Sequence, residues 1–239
     1  MELIPALDIL DNQIVHARLG LRKSYRPILS RLSDTSDPID IIDGLLSLHP
    51  FKTFYIADIN SILSKGNNAP TIKKIVQKFS KKQFWLDSGA SDIDQVGSWI
   101  QDFGQHVVVG SESQKNLDFL SYLKRNFFEN IVLSLDFDSK NQFIGPKEIL
   151  EDRLTWPTKV IFMTLSRVGS NRGPDLEKIQ DLIKVSNRNK IYTAGGVRNL
   201  NDLQALRNLN ISGSLLATSL HDGSCLLYTS PSPRDGLLS

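Results

Sequence analysis

Two aspartates stand at the ends of short apolar runs. Asp8 closes Ile4-Pro5-Ala6-Leu7-Asp8, and Asp136 closes Leu133-Ser134-Leu135-Asp136. Two carboxylates facing one substrate can divide acid and base work when their surroundings push their pKa values apart. Gly89 and the pair Gly195-Gly196 follow comparable runs directly. A glycine there lets backbone N–H groups approach an anion with no Cβ in the way. Ser111 and Thr218 add hydroxyls at neighbouring run ends. Each has a plainer alternative: an Asp capping the turn that follows it, a glycine that only makes a turn. Residues 16–27 hold Arg18, Arg22, Lys23, Arg26 and Tyr25. They read either as a cationic lid closing on an anionic substrate or as a solvated basic loop.

These residues recur because the elements recur. Apolar runs rich in β-branched and aromatic residues span residues 3–7, 53–57, 83–86, 106–109, 131–135, 160–163, 191–194 and 214–217. Segments of helical period lie between them, at 38–48, 69–79, 92–102, 115–125, 146–154, 174–185 and 200–207. Asp37-Pro38 sets a cap before Pro at the first helical position, and Gly173-Pro174-Asp175 reads the same way. Eight strands with seven intervening helices predict an α/β fold, a (β/α)8 TIM barrel, over any open sheet. A doubly wound sheet would need a Gly-rich fingerprint after the first strand, where Pro5-Ala6-Leu7-Asp8-Ile9 stands instead.

The barrel reads as two repeated half-barrels, about 1–126 and 127–224, within a single domain. Gly89 recurs as Gly196, and Gly110 as Ala217, at the same offset of 107 residues, while Asp8 recurs as Asp136 at 128. The first half therefore carries about 20 extra residues between its first two strands, mostly within residues 11–37. In such barrels the chemistry sits at the C-terminal ends of the strands, with phosphate held after strands seven and eight. That places phosphate at Gly195, Gly196 and Thr218, and the repeat predicts a second site at Gly89 and Ser111.

Pro5-Ala6-Leu7-Asp8, Asp136, Thr193-Ala194-Gly195-Gly196-Val197 and the strand-eight ending resemble the histidine-biosynthesis TIM-barrel family over essentially residues 1–223. The first of these motifs is closer to the ribotide isomerase branch than to the cyclase branch. The resemblance implies an Amadori rearrangement of an aminoaldose to an aminoketose. Asp8 would take the sugar C2 proton, Asp136 would be the acid that helps open the ring, and Thr164 would assist. It implies no metal and no organic cofactor. Three loops depart from the family pattern. Asp87-Ser88-Gly89-Ala90-Ser91 replaces a glycine-rich, Arg-containing loop and sets a carboxylate beside the expected phosphate. The loop at residues 137–143 lacks the family's Arg and glycines, and residues 165–175 match neither histidine enzyme. A divergent, isomerase-related branch follows, with a substrate carrying one phosphate or an asymmetric one. Two alternatives stay open: a related barrel enzyme in one-carbon (pterin or furan) cofactor synthesis, and a non-catalytic barrel that binds a phosphorylated ligand.

Composition bounds the reading. The chain has 239 residues, 28 Lys and Arg against 26 Asp and Glu, and one Cys. The near balance of charge carries no nucleic-acid or membrane-surface footprint. No apolar run reaches the roughly 18 residues of a membrane span, no secretory signal precedes the first strand, and a single Cys makes no internal disulfide. The expectation is a cytoplasmic monomer whose partner is a small phosphorylated substrate, with no nucleic acid and no membrane. His16 reads as structural, His49, His106 and His221 show no ligand spacing, and Trp85, Trp99 and Trp156 read as packing residues. Residues 225–235, CLLYTSPSPRD, are similar to the translation of a sequencing adapter. On that reading residues 225–239 are a non-native tail, Cys225 included, and the barrel lacks the final helix due after Gly223.

Overall fold

The computed structural model describes residues 1–17, 19–138, 140–186 and 189–225. Eight parallel strands form the barrel: β1 (Glu2–Leu10), β2 (Thr53–Asp58), β3 (Gln83–Asp87), β4 (His106–Gly110), β5 (Ile131–Phe137), β6 (Lys159–Thr164), β7 (Lys190–Ala194) and β8 (Gly213–Leu216). Each pairs with the next, and β8 closes on β1 through Glu2↔Gly213 to Pro5↔Leu216. The expected (β/α)8 barrel is therefore present, with each strand within three residues of its expected ends.

The outer ring comprises α1 (Pro38–Leu48), α2 (Ala69–Lys78), α3 (Ile93–Phe103), α4 (Leu117–Phe127), α5 (Glu148–Glu151), α6 (Leu176–Val185) and α7 (Leu200–Asn208). Local chemistry sets their starts. Asp37 accepts the Ile39 N–H at 2.8 Å with Pro38 at the first helical position, and Asp92 accepts the Gln95 N–H at 2.8 Å. Two expectations need correcting. The helix expected at 146–154 is one turn, because the Asp152 carboxylate caps a separate 3-10 turn, accepting the Leu154 N–H at 3.2 Å. The start signal at Gly173-Pro174-Asp175 acts one step later. Asp175 is itself the cap of α6, so Pro174 lies outside the helix.

Strands buried on both faces explain why they read as continuous apolar runs. Inside the barrel lie Ile4, Tyr55, Trp85, Val108, Val132, Ile161, Tyr192 and Leu215, with Trp85 and Tyr192 edge to face at 4.7 Å. The outward strand faces pack on the helices through residues such as Leu7, Ile56, Leu86 and Ile42. Trp156 is buried outside the barrel, its Nε1–H donating to the Ile149 carbonyl at 2.6 Å.

The twofold repeat has a structural signature. The Gln13–Val15 strand folds back on β1, pairing Val15 with Asp8. The Phe143–Ile144 strand folds back on β5, pairing Ile144 with Asp136. The extra residues of the first half form the long excursion from this hairpin to α1, including a 3-10 turn at Arg22–Ser24. A helical turn, Thr218–His221, follows β8. Of the tail expected at 225–239, Cys225 is described. Its N–H donates to the Ser219 carbonyl at 2.8 Å and its side chain is buried in the core, so it packs with the barrel. Residues 226–239, where the rest of the tail and a last helix would lie, are outside the described residues. Among the described residues no helix is long and apolar enough to cross a membrane.

Candidate active site

A cavity of about 240 Å³ opens at the C-terminal ends of the strands. Alternation along each strand decides which side chains enter it. Asp8 pairs in register with Ala57, Ala57 with Asp87, and Asp136 with Met163. All five line the cavity. The strands therefore deliver three carboxyls to one space: Asp8 from β1, Asp87 from β3 and Asp136 from β5.

Asp136 is held on both oxygens and is 6% exposed. Ser134 Oγ donates to its Oδ1 at 2.6 Å. The Glu112 N–H and Ser111 Oγ reach its Oδ2 at 3.2 and 3.3 Å. A Cβ on Gly110 would lie 3.1 Å from the same Oδ2, so the neighbouring strand end is kept bare for the carboxylate. Burial pushes Asp136 up to about 7; the Ser134 hydroxyl draws it down and the nearby Glu112 charge pushes it up. Asp8 is also raised to about 7. Burial is the main cause, opposed by the Arg22 guanidinium and aided by the Asp87 charge.

Asp87 is anchored by Tyr55, whose Oη donates to Oδ2 at 2.7 Å, and by the Gly89 N–H, which reaches Oδ1 at 3.0 Å. Burial raises its pKa against these two hydrogen bonds. Glu112, from the turn after β4, forms an ion pair with Arg22. Among the described residues no three His, Cys, Asp or Glu side chains converge so as to hold a metal ion.

The loop over residues 16–27 crosses the mouth. The Leu19 N–H donates to the Val168 carbonyl at 2.9 Å, and Gly20 packs on the Leu165 side chain. Arg22 and Tyr25 line the cavity, whereas Lys23 is exposed and does not. Lys23 sits on the outer side of the 3-10 turn, which points it to solvent, so it leaves the expected lid set. Arg18 lies outside the described residues. His16 Nε2 is 3.3 Å from Thr218 Oγ1.

Gly195, Gly196 and Thr218 line the opposite end of the cavity with Arg167, Arg198 and Ser219. Gly195 and Gly196 have φ of +101° and +93°. A Cβ on Gly196 would meet the Gly173 carbonyl at 2.3 Å, so only glycine fits. Their N–H groups find no acceptor among the described residues. Arg198 is tied to Asp202 by two hydrogen bonds of 2.8 Å.

The other expected positions fall elsewhere. Thr164 is buried and does not line the cavity. Its neighbour Met163 pairs with Asp136 and faces inward, so alternation puts Thr164 on the opposite face of β6. Gly89 and Ser111 also lie off the cavity wall, and Ser111 Oγ donates to the Ile144 carbonyl at 2.7 Å. Sequence reasoning passed over Ser134, Tyr55, Glu112 and Arg167. The first was legible, since Ser134 precedes Asp136 by two residues and shares its strand face.

A family model described as histidine biosynthesis protein matches residues 2–225. An uncharacterized protein of Methanocaldococcus jannaschii is 30% identical over 226 residues, covering 93% of this chain and 94% of that one. The 1-(5-phosphoribosyl)-5-((5-phosphoribosylamino)methylideneamino)imidazole-4-carboxamide isomerase of Pelagibacter ubique is 26% identical over 235 residues, 93% of this chain and 95% of its own. The enzyme of the same name from Myxococcus xanthus is 24% identical over 230 residues, 92% and 93% of the two chains. The chain belongs to the histidine biosynthesis protein family.

Proposed function

We propose that the chain is an aldose–ketose isomerase that rearranges a phosphorylated ribosyl or sugar amine, in the manner of the isomerases it is similar to. One observation carries the reading: carboxyls from symmetry-related strands, Asp8 and Asp136, line the same cavity and are both raised to about 7. Near neutral pH the two then hold about one proton between them, so an acid and a base are present together.

Phosphate at Gly195, Gly196 and Thr218 would orient the sugar with its reacting carbons toward the carboxyls. Asp136, protonated, gives its proton to the ring oxygen as the C1–O bond breaks, leaving an open-chain iminium. Asp8, ionised, removes the C2 proton, and the C2–H electron pair becomes the C1=C2 bond of an enaminol. Loss of the O2 proton and return of a proton to C1 complete the aminoketose. No step requires a cofactor. Arg22 stabilises the ionised form of Asp8, and the loop carrying it shields the open-chain species from water.

Incubation with a ribosylamine 5-phosphate in D2O, followed by proton NMR, tests the reading. It expects loss of the C2–H signal and an aminoketose product that carries solvent deuterium at C1. A protein that exchanges no C2 proton of any phosphorylated aminoaldose offered would contradict it.

A further inference from the structure

The half-barrel repeat gives the mouth two equivalent places for an anion, one after β7 and β8 and one after β3 and β4. The chain treats them differently. After β7 and β8, the N–H groups of Gly195 and Gly196 have no acceptor among the described residues. Ser219 Oγ, on a residue 3% exposed, is buried at the same end of the cavity without a hydrogen-bond partner. After β3 and β4, the corresponding donors are engaged by the protein's own carboxylates. The Gly89 N–H donates to Asp87 at 3.0 Å, and the Glu112 N–H donates to Asp136 at 3.2 Å. The cavity wall at this end carries the carboxyls of Asp87, Glu112 and Asp136, and Arg22 is paired to Glu112.

We propose that this half of the mouth is a carboxylate-lined subsite that rejects a second phosphate and accepts an uncharged or ammonium-bearing end of the substrate, with Asp87 and Glu112 as its specificity-determining residues. A phosphate placed there would face the carboxyl oxygens of Asp87 and Glu112 with the local amides already engaged, and like charges so juxtaposed repel. An ammonium brings only donors and finds acceptors on Asp87 and Glu112. The substrate then carries one phosphate, held near Gly195 and Gly196, unlike the doubly phosphoribosylated compound in the relatives' name. This inference rests on the cavity being the site of a phosphorylated substrate, as proposed above.

The test is titration of the full, 15N-labelled chain with inorganic phosphate, read at assigned amides. In the wild type the amides of Gly195 and Gly196 shift, while those of Gly89 and Glu112 respond at least about tenfold more weakly, a difference of 1.4 kcal/mol. In Asp87→Gly the Gly89 amide becomes responsive. Asp87→Asn, which keeps the side chain and removes its charge, gains part of that response and guards against a fold effect of the glycine. Equal responses at both ends of the wild-type mouth would overturn the proposal, and so would no response at either end. An asymmetric response in a protein that exchanges no C2 proton would support the subsite and overturn the isomerase reading alone.

Discussion

Replacing Asp136 by Asn should make the protein more stable at high pH than at low pH, relative to the wild type. The carboxyl is raised from 3.8 to about 7 in the folded protein. For a carboxyl raised by folding, the penalty is absent below the unfolded pKa, grows between the two values and is complete above the folded one. Linkage over that span gives roughly 2 kcal/mol at pH 5 and roughly 4 kcal/mol at pH 8. Asn carries no such penalty. It does weaken the hydrogen bonds from Ser134 and from the Glu112 N–H, but that loss is nearly the same at both pH values. Urea unfolding of both proteins at pH 5 and pH 8 isolates the difference. The stability of Asp136→Asn relative to wild type should rise by roughly 2–3 kcal/mol between the two pH values. A relative stability that is the same at both would mean that Asp136 ionises like an exposed aspartate. The acid–base pair would then have no physical basis.

Other outcomes follow from the same geometry. Asp8→Asn should show the same sign, since Asp8 is also raised to about 7, and unfolding at the two pH values checks it. Arg22→Gln removes the charge that lowers Asp8 and the pairing with Glu112. Carbon-detected titration should place Asp8 above its wild-type value, and amide exchange over residues 19–26 should quicken by about fivefold for the loss of about 1 kcal/mol. Gly196→Ala drives a Cβ toward the Gly173 carbonyl at 2.3 Å and should cost more than about 2 kcal/mol in urea unfolding. Lys23→Ala, at an exposed position off the cavity, should change stability by less than about 0.5 kcal/mol in the same assay.

The barrel was legible because a parallel strand buried on both faces leaves an apolar run that no surface helix imitates, and because caps such as Asp37 announce the helices between. The segment at 146–154 misled for a local reason. Its apolar spacing fits a helix, but Asp152 competes for the backbone and ends it after one turn. Asp8 and Asp136 were legible from position at strand ends. Alternation, carried further, would have found Ser134 and Tyr55 and would have put Met163 rather than Thr164 in the mouth. Glu112 was not legible. It arrives on a 3-10 turn, and its partner Arg22 is 90 residues away on a loop with no periodic pattern. The engagement of the Gly89 amide by Asp87 was also hidden, because a sequence shows a glycine and a carboxylate but not which donor the carboxylate takes.

In the proposed reaction Asp8 takes the C2 proton of a phosphorylated aminoaldose in a cavity shared with Asp136. The rate at which the C2–H signal of a ribosylamine 5-phosphate is lost in D2O, measured by proton NMR for wild type and Asp8→Asn under one set of conditions, tests that role. The wild type is expected to remove the C2 proton, and Asp8→Asn to do so about 10²–10⁴-fold more slowly, the range of a general base. Removal by Asp8→Asn at the wild-type rate would contradict it.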